Sequence, residues 1–215
     1  MSTKLPNVLT YTRIAAIPVV VGFMLVEPPL GNWLAFAVYT YACVTDFLDG
    51  YLARAWSQQS NLGRFLDPIA DKLLIASVLL MLVGVDHISG LTVLPAAVIL
   101  CRELLVSGLR EFLAEVRVSM PVSRLAKWKT VIQMLALGFL IVGAAGPDFG
   151  PLSTAEIGQY GLWLAAALTM VTGYDYLCAG LRHISLSDER AAEGAPDARP
   201  ESRSAETTKP AGTLG

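Results

Sequence analysis

Charge is scarce in this chain: Asp, Glu, Lys and Arg make up 16% of its 215 residues, while 54% are hydrophobic. Soluble domains carry about 25% charged residues, so the shortfall argues against a water-exposed globule. Histidine and cysteine are scarcer still. His87 and His183 stand alone, which leaves no histidine-based metal site. Cys43, Cys101 and Cys178 are an odd set in apolar contexts; they read as buried free thiols and not as a disulfide framework. The net charge of −2 is partly a property of the C-terminal tail and says little about the partners of the apolar part, for which no nucleic acid is expected. No Ala-x-Ala-like cleavage pattern follows the first apolar run, which therefore reads as a retained span and not a signal peptide. No internal repeat argues for an inverted-repeat transporter.

What the chain does have is apolar runs of nearly membrane-crossing length, roughly 17–25 residues each. Candidate spans fall at 14–30, 33–53, 69–85, 91–109, 131–147 and 157–180. The fold expected is all-α and integral to a membrane, with six transmembrane helices and a short N-terminal interfacial helix. Basic residues alternate with the connections. Lys4 and Arg13 precede the first span, and Arg54, Arg64 and Lys72 flank the connection from the second to the third. Arg110, Arg117, Arg124, Lys127 and Lys129 lie between the fourth and fifth, and Arg182 onward follows the last. The other connections, EPPLGN, VDHISG and GAAGPDFGPLSTAEIG, hold no Lys or Arg. By the positive-inside rule this pattern predicts a multi-pass cell-membrane protein with both termini cytoplasmic. Arg102 is the exception, inside an apolar span.

Residues 1–185 read as one membrane domain, and 186–215, rich in Ala, Glu, Ser, Pro and Arg, as a disordered cytoplasmic tail. Near the start, Asn7, Thr10 and Arg13 recur every three residues on one face of the expected interfacial helix. Taken alone, Arg13 could simply snorkel and Asn7 or Thr10 cap the helix. The stretch REFLAEVRVSMPVSRLAKWKTVIQ is basic and amphipathic, suited either to anionic lipid headgroups or to a phosphorylated substrate.

Four aspartates sit beside these apolar runs. An ionised carboxylate in a membrane costs roughly 2.5–3.5 kcal/mol, so four unpaired ones cost on the order of 10 kcal/mol. Asp46 and Asp49 are three residues apart and Asp67 and Asp71 four, so each pair shares a helix face. A short polar connection, WSQQSN, makes the two helices antiparallel neighbours with both pairs facing one cavity. Converging carboxylates repel, and hard divalent cations, Mg²⁺ or Mn²⁺, relieve that repulsion through oxygen ligands. Gly50, Ala53 and Gly63 lie one turn from Asp46, Asp49 and Asp67, leaving room for a flat ligand or for ordinary small-residue helix packing. Arg54 at the membrane edge can snorkel or meet a phosphate.

From Asp46 to Asp71 the chain reads Asp-x2-Asp-Gly-x2-Ala-Arg-x8-Gly-x3-Asp-x3-Asp, which resembles the signature of the CDP-alcohol phosphatidyltransferases. The segments LPNVLTYTRI, FLDPIADK, CRELLVSGLRE and VSRLAKWKT, over roughly residues 5–135, are similar to members that use a glycerol phosphate acceptor. The resemblance implies a six-helix core with its site at the cytoplasmic end of helices 2 and 3. It implies two divalent ions, one on Asp46, Asp49 and Asp67 and a second on Asp46, Asp67 and Asp71. Asp71 would be the base that takes the proton of the attacking hydroxyl. CDP-diacylglycerol would be held by Asn7, Thr10, Arg13, Gly50, Ala53, Arg54, Ser60 and Gly63. For sn-glycerol 3-phosphate, itself anionic, Arg110, Lys127 and Lys129 are the candidate phosphate ligands, with Arg102 and Arg117 behind them. Glu103 could simply pair with Arg102. Lys72 projects about 100° from Asp71 on a helix and is not assigned to proton transfer. A homodimer is similar to the family's habit.

Two other readings stand beside this one. A sibling transferase would take inositol phosphate, serine or phosphatidylglycerol as acceptor. A cation or proton transporter would spread its carboxylates across the membrane depth, whereas these cluster at one end.

Overall fold

The computed structural model describes residues 5–56, 61–115 and 124–193, with side chains for 10–47, 66–114 and most of 125–180. Among the described residues the α-helices are α1 (Leu5–Met24), α2 (Leu30–Trp56), α3 (Asn61–Gly84), α4 (Val93–Glu115), α5 (Arg124–Val142) and α6 (Thr154–Glu193). The described residues form no strand, only a lone bridge between Phe149 and Leu152. Each helix overlaps one expected apolar run. The first differs: among the described residues no break divides an interfacial helix from the first span, and α1 is continuous from Leu5 to Met24. Pro6 falls in the first turn, where a missing N–H costs nothing, and no breaker stands between Arg13 and Ile14. Pro18 forfeits one backbone bond inside α1 without ending it. α6 runs to Glu193; residues 194–215, most of the expected tail, lie outside the described residues.

Local chemistry sets several helix ends. Pro28 and Pro29 separate α1 from α2, since proline cannot extend a helix and restricts the residue before it. α3 closes on Asp86 at φ 60°, a conformation aspartate tolerates, with the Ile88 N–H returning to the Leu82 carbonyl at 2.9 Å. α6 opens with a capping box. The Ser153 N–H donates to Glu156 Oε2 at 2.8 Å, and the Glu156 N–H donates to Ser153 Oγ at 3.2 Å. The Ser153 N–H, together with the Ser153 hydroxyl that also donates to Glu156 Oε2 at 2.9 Å, holds the exposed Glu156 carboxyl below the ordinary carboxylate range.

Side-chain contacts show which helix ends meet. Arg13 of α1 reaches Asp46 late in α2, and Thr10 of α1 reaches Asp67 early in α3. Lys72 of α3 and Lys129 early in α5 both reach Glu103 of α4. At the opposite end Asn32, early in α2, donates to the last carbonyl of α5, that of Val142, at 2.9 Å. His87, in the turn after α3, pairs with the Leu140 carbonyl at 2.8 Å. These helices therefore run alternately up and down, and their charged ends gather on one side.

Between the ends lies an apolar core that includes Val20, Ala42, Val78, Leu82, Ile99, Leu137, Leu140 and Leu162. The most extensive helix pairing is α5 with α6. It depends on Gly158, where a Cβ would stand 3.0 Å from the Leu140 backbone nitrogen. The outer face is apolar too, with Phe47, Leu80, Leu104, Leu135 and Met170 all exposed. So broad an apolar exterior fits lipid and not water. Cys101 and Cys178 are exposed on it and Cys43 is only half-buried. That corrects the expectation of buried thiols: an apolar context in such a chain can mean the lipid side as readily as the core. Among the described residues two helical stretches, Gly90–Ala114 and Lys127–Ala145, are long and apolar enough to cross a bilayer. The first is mostly exposed, unlike the core helix of a soluble protein.

Candidate active site at the charged end of the bundle

Asp46 rises from the second half of α2, while Asp67 and Asp71 occupy successive turns of α3 around the exposed Pro68. α1 packs against both helices and brings two donors between them. The Arg13 guanidinium, 1% exposed, lies 2.7 Å from Asp46 Oδ1. The Thr10 hydroxyl donates to Asp67 Oδ1 at 2.5 Å. Asp46 also stands within electrostatic range of Asp71, Asp67 and Lys72. The Lys72 ammonium is 3.3 Å from Asp71 Oδ2. An arginine so deep in an apolar helix is costly unless paired, and Asp46 supplies its partner.

Among the described residues the ligand atoms on offer at this end are carboxylate oxygens and a hydroxyl, with no imidazole. That is the chemistry of a hard divalent ion. Among the described residues, however, no three His, Cys, Asp or Glu side chains form a ready-made cage. Asp46, Asp67 and Asp71 are each engaged by a donor of the chain, and the Asp49 side chain lies outside the described set.

Beside the aspartates, α3, α4, α5 and α6 enclose a polar pocket of about 130 Å³. Four cations line it: Lys72, Arg102, Arg110 and Lys129. Glu103, 6% exposed at its side chain, accepts from both Lys72 and Lys129, and Arg102 Nη1 stands 3.5 Å away. α6 cradles Arg102. Its Nη2 donates to Thr172 Oγ1 at 3.0 Å, and its guanidinium carbon lies 6.0 Å from the Tyr176 ring centroid. Gly173 gives the arginine stem its passage, since a Cβ there would stand 3.0 Å from Arg102 Cγ. A larger cavity of about 380 Å³, lined by Phe36, Tyr39, Cys43 and Phe139 among others, has no charged side chain among its described lining residues.

The residues singled out in the sequence distribute as follows. Thr10 and Arg13 stand on the aspartates. Asn7 is in α1, Asp49, Gly50, Ala53 and Arg54 are in α2 and Gly63 is in α3, all with side chains outside the described set. Ser60 and Arg117 lie outside the described residues altogether. Arg110 and Lys129 line the basic pocket. Lys127 is exposed and is not among its lining residues. Sequence reasoning gave no site role to Glu103, Lys72, Thr172, Gly173 or Tyr176. The one signal for Glu103 was a charged Arg102–Glu103 pair inside an apolar run, which is expensive unless used. Nothing in the sequence marks the α6 residues.

The chain belongs to the CDP-alcohol phosphatidyltransferase family, whose sequence profile matches residues 3–171. Members of this family generally use divalent metal ions. With its apolar helices, this membership makes the chain a membrane protein. Among curated relatives it is similar to the CDP-diacylglycerol–glycerol-3-phosphate 3-phosphatidyltransferase of Rickettsia bellii (strain RML369-C), 48% identical over 176 residues, 82% of this chain and 94% of the relative. Proteins of the same name from Cereibacter sphaeroides (37% over 223 residues, 88% of this chain and 100% of the relative) and Pseudomonas fluorescens (40% over 187 residues, 84% and 92%) are also similar.

Proposed function

We propose that the protein transfers the phosphatidyl group of CDP-diacylglycerol to sn-glycerol 3-phosphate, giving phosphatidylglycerophosphate and CMP. The observation that carries this choice of acceptor is the basic pocket beside the aspartates, which offers a second anion site next to the one a diphosphate would need. An acceptor without a phosphate, such as serine, would leave the four clustered cations with only Glu103 and Asp71 to offset them. The similarity to relatives named for this reaction supports the same reading.

In this reading Asp46, Asp49, Asp67 and Asp71 hold two divalent ions, Mg²⁺ or Mn²⁺. When bound, these neutralise the diphosphate and the departing oxygen. Asn7, Thr10, Arg13, Gly50, Ala53, Arg54, Ser60 and Gly63 bind the CDP headgroup. Arg110 and Lys129 orient the acceptor phosphate, assisted by Arg102. Asp71, adjoining that pocket through Lys72, accepts the proton of the attacking hydroxyl. One P–O bond forms to that hydroxyl oxygen, one breaks to CMP, and the proton passes to the carboxylate. The six helices span the cell membrane with the charged end cytoplasmic, as the segregation of Lys and Arg supports. The acyl chains then stay in the bilayer while the water-soluble acceptor enters from the inner side.

The test is incubation of the purified protein in lipid nanodiscs with labelled CDP-diacylglycerol and a panel of glycerol 3-phosphate, inositol phosphate, serine and phosphatidylglycerol. CMP release that depends on glycerol 3-phosphate is expected. Release driven by another acceptor alone refutes the choice.

A further inference from the structure

We propose that Glu103 is a positioning residue for this reaction: it shares Lys72 with Asp71, keeping the Asp71 carboxylate open to the acceptor hydroxyl. The proposal rests on reading the basic pocket as the acceptor-phosphate site.

Among the described residues Glu103 is the one acidic side chain lining that pocket, beside four cations within about 130 Å³. Its two oxygens do different work. Oε1 accepts from the buried Lys129 ammonium and faces Arg102 Nη1; Oε2 accepts from Lys72. Lys72 in turn lies 3.3 Å from Asp71 Oδ2. An ammonium has three hydrogens and no acceptor, so Lys72 divides itself between two carboxylates held on different helices. Divided, it keeps only a long contact to Asp71. Undivided, it would close on that carboxylate and occupy the oxygen where the acceptor hydroxyl must dock.

Removing the charge of Glu103 leaves four cations crowded together, with Asp71 as the nearest carboxylate for Lys72. Lys72 then turns wholly to Asp71. Phosphate binding does not depend on Glu103, because Lys129, Arg102 and Arg110 still face the pocket and a negative competitor has gone. Turnover does depend on it. This split separates positioning from general structural support, which would weaken both together.

The experiment uses the full chain in lipid nanodiscs. Binding of labelled glycerol 3-phosphate and of inorganic phosphate is measured without CDP-diacylglycerol, and kcat from CMP release. For Glu103→Gln, binding held within about threefold or tightened is expected, with kcat down about tenfold or more. Adding Lys72→Met in that background is expected to recover about threefold or more of the lost kcat, because the competitor for Asp71 is gone. Loss of binding and kcat together without recovery, or an unchanged kcat, overturns the proposal. Should the Gln variant not fold, Glu103→Asp decides. It keeps the charge but withdraws it by one methylene, so kcat falls with binding held; a joint loss, or no loss, overturns the proposal. If Lys129→Ala and Arg110→Ala leave glycerol 3-phosphate binding unchanged, the pocket reading itself fails and takes this proposal with it. The Glu103 outcomes test the proposal alone.

Discussion

Gly173→Ala adds one methyl group to α6 against the stem of Arg102. The new Cβ would stand 3.0 Å from Arg102 Cγ and 3.1 Å from Nε. Comfortable carbon contacts begin near 3.5 Å, so the arginine has to retreat by roughly half an ångström. Its hydrogen bond to Thr172, now 3.0 Å, then stretches to the limit of a real one, and its 6.0 Å approach to the Tyr176 ring passes beyond cation–π range. A charge-assisted hydrogen bond contributes about 1.5–3 kcal/mol. Since the flexible guanidinium regains part of that elsewhere, a net loss of about 1 kcal/mol in acceptor binding is expected, or about fivefold in the glycerol 3-phosphate KM. The fold should not suffer. Alanine is favoured over glycine inside a helix by about 1 kcal/mol, so Tm should hold or rise. The assay is CMP release at fixed CDP-diacylglycerol surface concentration with varied acceptor, alongside thermal unfolding in the same detergent. An acceptor KM within about twofold of the parent, at unchanged Tm, would refute the claim that α6 presents Arg102 to the acceptor.

Asp71→Asn should abolish turnover, roughly a hundredfold or more, while metal-dependent binding of CDP-lipid remains measurable; full activity would remove Asp71 as the base. Lys129→Ala and Arg110→Ala should each raise the acceptor KM by about tenfold, whereas Lys127→Ala should move it by less than about threefold, because Lys127 does not line the pocket. Steady-state kinetics of the three variants check this, and equal effects from all three would place the phosphate elsewhere. At the opposite end of the bundle, Ser153 depresses the Glu156 carboxyl. A depressed folded-state value means the contribution is present above the unfolded value, about 4.3, and is lost as pH falls through the lower folded one. The stability difference between parent and Glu156→Gln should therefore shrink below about pH 4, as read by unfolding across a pH series.

The sequence by itself determined the class of the fold, because apolar runs of bilayer length separated by connections that alternately carry and lack Lys and Arg admit few arrangements. It also marked the aspartate signature: helical spacing of three and four places Asp46 with Asp49 and Asp67 with Asp71 on shared faces whatever the helices pack against. Local rules reach one helix, and there they serve well. They fail where a contact joins distant helices. Lys72, set aside for pointing away from Asp71, turns out to bridge it to Glu103, because α4 packs where that side chain points. Lys127 and Lys129 look alike in sequence, yet one is exposed while the other is buried on Glu103, since two residues on a helix turn a side chain by about 200°. Cys101 and Cys178 show the same limit, as an apolar neighbourhood does not tell the lipid face from the core. Only the tertiary structure could select among the cations and make Gly173 a condition for placing Arg102, because those choices depend on the packing of α3, α4, α5 and α6 at one end of the bundle.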